Sequence, residues 1–308
     1  MGVMGHHGML KRVRLILCVA FLGCGVPQAS HLDLPRPTPG LELQAEDFAR
    51  ARAGFATKLL RKGPSPSQSA LLKPLADAEE IEYRSADLRL RAYRSRPSAD
   101  GTRRPAVLLL HGGFAFGIGQ WEMSRAFRDA GFAVMMPVLR GENGQAGHFS
   151  LFFDEVDDVL AAGEILATLP DVDPSHLFVA GHSVGGTLAM LAAMASPRFR
   201  AAASLSGSPD LSSYLRVSRA DAPFDTSADH EIRLRSPVAY ATSFKCPVRL
   251  FCGDEEFWAQ SSTLRTAMLA KRAGVDVEAI EVPGDHFSSM PEAIRESIEF
   301  FRRQSFTK

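Results

Sequence analysis

Set against each other, the 35 Lys and Arg and the 35 Asp and Glu leave no net charge. That balance removes the electrostatic reason to expect a nucleic-acid partner. No tandem repeat divides the 308 residues, which argues against a solenoid. Cysteine is scarce: of four, Cys18 lies in an apolar run, Cys24 closes it, and Cys246 and Cys252 bracket an expected strand. Six residues of strand hold that pair roughly 20 Å apart, and a disulfide tolerates a Cα spacing of only about 7 Å. Both are therefore expected as reduced, buried thiols. No ligand spacing points to a metal. Asp154, Glu155, Asp157 and Asp158 carry the pattern of a solvated helix face, and no metal or organic cofactor is expected.

Residues 15–22 are apolar but too few to cross a bilayer as a mature helix. With Lys11, Arg12 and Arg14 in front, the run reads as an export signal. Its end, Phe21-Leu22-Gly23-Cys24, resembles a bacterial lipobox, with Phe21 where Leu is usual. Residues 1–24 are thus expected to be a signal of lipoprotein type, with plain secretion as the alternative. The mature protein is then exported and touches the membrane only through its N-terminal lipid.

Proline-rich residues 32–40 predict an extended linker. Residues 41–62 have helical spacing, with Phe48, Phe55, Leu59 and Leu60 on one face, ended by Gly63-Pro64-Ser65-Pro66. Residues 80–84 and 88–94 alternate as an antiparallel pair. Six short apolar runs follow, at 106–110, 133–138, 177–180, 202–205, 248–252 and 277–282. Helical patterns separate most of them, at 121–130, 153–169, 184–195, 261–273 and 291–302. This alternation predicts an α/β fold: a mostly parallel eight-stranded sheet with helices on both faces. Residues 207–244 lack regular periodicity and sit where a cap would. The organisation read here is signal at 1–24, linker and helix at 25–78, and catalytic domain at 79–308.

Gly181-His182-Ser183-Val184-Gly185 fits G-x-S-x-G between a strand and a helix. That context places Ser183 on a strained turn with its hydroxyl above the sheet. The helix start also offers free N–H groups and partial positive charge to an oxyanion. His111-Gly112-Gly113-Phe114 follows the third strand, and Gly113 or Phe114 is expected to supply one oxyanion N–H, with Val184 supplying the other. His286, just past the last strand, is the expected base; His111 and His182 belong to glycine turns and read as structural. The acid should follow the seventh strand in Gly253-Asp254-Glu255-Glu256. Spacing from Pro247 and Gly253 favours Glu256, with Asp254 the alternative and Glu255 a third possibility. The chain order serine, acid, histidine is that of α/β-hydrolases.

On these residues the chain resembles the prolyl oligopeptidase and dienelactone hydrolase branch of the α/β-hydrolases. HGGF from His111, LRGENGQAG from Leu139, DEVDDVLAA from Asp154, VDPSHLFVAGHSVGG from Val172 and VPGDHF from Val282 carry the likeness, over roughly residues 79–302. The resemblance implies a serine hydrolase acting through an acyl-enzyme on a small ester or peptide. It departs from the pattern in two ways: 308 residues leave no room for an oligopeptidase propeller, and the favoured acid is Glu. Dienelactone hydrolases use Cys where this chain has Ser183.

Arg140 and Glu142, in the loop after the fourth strand, are candidates to hold a substrate carboxylate or amine; the simpler reading is an internal brace. Trp121 and Trp258 line a pocket or pack helices, packing being the simpler expectation. The competing functions are a carboxylesterase without peptidase activity, an acyltransferase, and a silent lipid-anchored binding protein on the same fold.

Overall fold

The computed structural model describes residues 34–68 and 77–306. The expected signal, with Cys24 and the first linker residues, lies outside the described residues. Eight strands form one sheet: β1 Ala78–Ser85, β2 Leu88–Ser95, β3 Arg104–Leu110, β4 Ala133–Pro137, β5 Val172–His182, β6 Ala201–Leu205, β7 Val248–Gly253 and β8 Val277–Val282. Their spatial order is β1-β2-β4-β3-β5-β6-β7-β8. Only β2 runs against its neighbours; every pairing from β4 to β8 is parallel.

Alternation along β3 sends Ala106, Leu108 and Leu110 to one face and Val107 and Leu109 to the other, all at most 2% exposed. Sequence with apolar side chains on both sides of a strand must be covered twice. Helices α4 Glu155–Thr168, α5 Val184–Ala195 and α8 Phe257–Arg272 cover the first face. Helices α2 Ile118–Met123, α3 Arg125–Asp129 and α9 Met290–Phe306 cover the second. On α9, Phe300 and Phe301 are fully buried, each contributing roughly 1.5–3 kcal/mol. The chain leaves β3 for β4 on one side and returns to β5 on the other. Strand order therefore reverses between β3 and β5, which opens a crevice at their carboxyl ends.

Three expectations need correction. The helix over 41–62 is only α1 Phe48–Ala53: Asp47 caps its start and Gly54 its end. Beyond Gly54 the backbone pairs elsewhere, with Leu60 and Arg61 N–H donating to the Pro223 carbonyl. Leu60 accordingly ends 63% exposed rather than on a face shared with Phe48. The helix over 121–130 breaks at Ser124 into α2 and α3. Within α4, Glu155 and Asp158 are buried rather than solvated, because Ser150 and Arg140 satisfy them.

The stretch over 207–244 holds two short helices, α6 Leu211–Ser218 and α7 Asp229–Arg233, with 3₁₀ turns at Arg219–Asp221 and Pro237–Ser243. Segments this brief, cut by Pro209, Pro223 and Pro237, leave no periodic signature. This cap region is tied to the arm at 41–68 through Arg235. Its guanidinium is fully buried, bonds Glu231 at 2.5 Å and Thr57 at 2.7 Å, and lies 3.9 Å from the Phe224 ring centroid. Glu231 also accepts from Thr57 Oγ1 and Lys58 N at 2.8 Å. Glu231→Ala would leave that cation buried without its counter-charge, so chemical denaturation should read a loss of about 3–5 kcal/mol.

Candidate active site

Strand β5 ends at His182, and α5 begins at Val184. Ser183 between them has φ 55°, a left-handed conformation costly for a residue with a side chain. Its neighbours explain how the turn closes. A Cβ at Gly181 would lie 2.2 Å from the Gly185 carbonyl oxygen, and one at Gly185 would lie 2.3 Å from that of Leu110. Only glycine fits either place. The Ser183 N–H donates to Leu205 O at 2.8 Å, fixing the elbow to the end of β6.

His286 reaches this point from the loop after β8, with Nε2 2.9 Å from Ser183 Oγ. Its Nδ1 lies 2.6 Å from Glu256 Oε1. The other carboxylate oxygen, Oε2, accepts from Ser206 Oγ at 2.5 Å and Gly253 N at 2.7 Å. Glu256 is 2% exposed. Burial alone would raise its pKa, but the bonds from His286, Ser206 and Gly253 outweigh it and hold the carboxyl below its ordinary range. With Nδ1–H donating to Glu256, Nε2 is free to accept the Ser183 proton.

The three acids are thereby separated in space. Asp254 is exposed and accepts from Gly284 N at 2.8 Å, bracing the histidine loop from outside. Glu255 is exposed and meets that loop only through its backbone N–H. Asp285 closes the turn by accepting from Phe287 N and Ser288 N, bonds that pull its pKa down to about 2. His182 Nε2 donates to the His286 carbonyl at 2.8 Å; burial lowers its pKa and keeps it neutral.

Gly113, at φ 71°, lines the cavity in front of Ser183. Phe114 turns its ring away toward Phe149. Two side chains hold the loop that carries them. Ser65 Oγ donates to Phe114 O at 2.7 Å, and Asn143 brackets Phe116, accepting from its N–H and donating to its carbonyl. On the opposite side, the first intrahelical bond of α5 is Thr187 N to Ser183 O, which leaves the Val184 N–H free of the helix ladder.

Arg140 and Glu142 are not brought to this cavity. Arg140 forms a two-pronged pair with the buried Asp158 at 2.7 and 2.9 Å. Glu142, 3% exposed, accepts from His111 Nε2 and Leu139 N at 3.0 Å. Burial opposes charge on His111, yet Glu142 and the Gly112 carbonyl outweigh it and raise its pKa. The loop does leave the correct end of its strand. But β4 stands one strand beyond β3, so the loop faces a separate cleft of about 820 Å³ whose lining does not include Ser183 or His286. Trp121 is buried in packing and donates to Asp77. Trp258 is 47% exposed, its ring centroid 6.0 Å from that of His286. Ser65, Asn143, His182 and Ser206 support the site; His182 reads as structural from its glycine turn, and sequence reasoning gave the other three no supporting role. Ser206 had only its place directly after β6 as a signal.

The cavity holds about 480 Å³ and is lined by Gly112, Gly113, Gly119, Gln120, Met123, His182, Ser183, His286, Phe287 and Met290. No carboxylate, ammonium or guanidinium lines it among the described residues.

Comparison with known proteins gives the family and the fold. The chain is 27% identical over 215 residues to human acylamino-acid-releasing enzyme, covering 60% of this chain and 29% of that protein. Acylaminoacyl peptidase of Pyrococcus horikoshii superposes with a TM-score of 0.60 at 22% identity, over 74% of this chain and 41% of the other. A hyperthermophilic esterase from Pyrobaculum calidifontis gives a TM-score of 0.60 at 20% identity, over 76% and 88%. At such identities the two structures show a shared fold. The chain spans about a third or less of the curated relatives it matches. The model of the prolyl oligopeptidase family matches residues 120–306, more than half the chain, and on that match the chain belongs to the prolyl oligopeptidase family.

Proposed function

We propose that this chain is a serine hydrolase of small, uncharged carboxylic esters and amides. The observation that carries the reading is the unbroken line from Ser183 Oγ through the His286 ring to Glu256, at 2.9 and 2.6 Å. Ser183 Oγ attacks the carbonyl carbon as its proton passes to His286 Nε2. Negative charge gathers on the carbonyl oxygen, within reach of the N–H groups of Val184 and of Gly113 or Phe114. The leaving group takes the proton from His286, and water repeats the cycle on the acyl-enzyme. Glu256 holds the imidazole in the needed tautomer and stabilises its charged form. Gly113 is the better-placed donor of its pair, because it lines the cavity and Phe114 does not.

The uncharged lining favours neutral acyl groups. A free peptide amine would enter a cavity where no described carboxylate meets it. The names of the relatives, a releaser of acylated amino acids and an esterase, lean the same way. An unpaired polar group costs about 1–3 kcal/mol, so kcat/KM should be about 10- to 100-fold lower for free-amine substrates. Comparing an N-acetylaminoacyl p-nitroanilide with the free aminoacyl compound, beside p-nitrophenyl butyrate, tests this. Faster cleavage of the free-amine anilide would overturn the neutral-substrate reading; butyrate cleavage without either anilide would mark a pure esterase. Export with a lipid at Cys24 belongs to the same proposal, supported by the basic residues 11–14, the apolar run and the cysteine after Gly23.

A further inference from the structure

Of seven large apolar side chains exposed among the described residues, four lie on α8 or beside His286. Phe257 is 78% exposed, Phe287 70%, Trp258 47% and Leu264 46%. Trp258 and Phe287 flank the catalytic ring: the His286 centroid lies 6.0 Å from Trp258 and 5.1 Å from Phe287. Phe257 and Leu264, seven residues apart on α8, stand on one stripe of its outer face. They border a groove of about 520 Å³ that also touches Pro35 and Ile280. Exposed apolar side chains thus stand at the cavity mouth, along α8 and beside Pro35, with Gln260, Ser261 and Glu281 among them. Patches of this kind mark interaction sites.

We propose that this surface docks on a lipid bilayer and turns the Ser183 cavity toward the membrane. Two observations name the occupant. First, Arg265 of α8 donates to the Pro35 carbonyl at 2.6 Å, so the described residues begin at this face. The sequence ahead of Pro35 carries Cys24, the residue proposed to bear the lipid. Second, Arg36, Arg216 and Arg265 line a pocket beside Phe257 and Trp258. Aromatic side chains bordered by arginine suit the headgroup boundary of a bilayer. Glu281 lines the α8 groove as well, so apolar insertion rather than charge drives the docking.

The chain carries its own probe. It has two tryptophans, Trp121 being 1% exposed and Trp258 open. The full chain is mixed with phosphatidylcholine–phosphatidylglycerol vesicles whose acyl chains are brominated. Trp258 emission should be quenched by the bromolipid and shielded from iodide. Phe257→Ser combined with Leu264→Ser should lose both effects, while hydrolysis of soluble p-nitrophenyl butyrate stays at the parent rate. Because quenching is read without turnover, failure of the docking is distinguishable from failure of the hydrolase reading. The proposal is overturned if the chain ignores vesicles, or binds them with Trp258 still open to iodide. A concentration-dependent dimer lost in the double variant would overturn it in favour of a second copy.

Discussion

Ser183→Ala should reduce hydrolysis of p-nitrophenyl butyrate by roughly 10⁶-fold, the scale on which loss of a serine nucleophile acts. Labelling by a fluorophosphonate should vanish altogether. The Ser183 hydroxyl meets His286 Nε2 at 2.9 Å, on a backbone held at positive φ. Alanine keeps the Cβ, and with it the fit between Gly181 and Gly185, so the variant should fold and give a native circular dichroism spectrum. A variant that keeps more than about a thousandth of the parent rate would sink the nucleophile assignment, since oxyanion donors and binding alone leave about 10³–10⁴ over water.

The second large effect separates the acids. Glu256→Gln should lower kcat about 10⁴-fold, because an amide cannot both accept from His286 Nδ1 and stabilise the imidazolium. Asp254→Ala removes one exposed hydrogen bond to the histidine loop, so its loss should be less than about tenfold. Equal losses would mean that Glu256 orients nothing. A pH signature accompanies the larger effect. The Glu256 carboxyl titrates below its ordinary value of 4.5 in the fold. Its bonds therefore contribute stability in full above that value, and the contribution fades as pH falls through the lowered one. Glu256→Gln lacks this titration, and its stability should fall less steeply on acidification.

The sheet was legible because the six parallel strands each contain a short apolar run and the two antiparallel ones alternate, although β5 begins five residues before its run. The elbow was legible for a different reason. Gly181 and Gly185 are steric necessities on either side of Ser183, so the constraint is written locally. What could not be read is what depends on lateral neighbours. Arg140 reads first as a brace to Glu142, and its true partner, Asp158, comes from the neighbouring helix α4. Ser206 approaches Glu256 from 50 residues away, and Ser65 approaches Phe114 from 49. No periodicity announces such meetings. The false helix over 41–62 fails similarly: its apolar spacing is real, but past Gly54 the cap region offers the backbone better partners than the chain's own next turn.

The bond from Ser65 to the Phe114 carbonyl bears on what the smallest working unit is. The family match starts at residue 120, and the first strand at Ala78. A chain trimmed to either point would still encode the nucleophile, base and acid. Cut at Ala78, it would lose the hydroxyl that fixes the turn presenting Gly113; cut at residue 120, it would lose Gly113 itself. The stretch ahead of the sheet is thus working anatomy rather than a tether, and turnover belongs to a longer piece of polypeptide than the sheet alone.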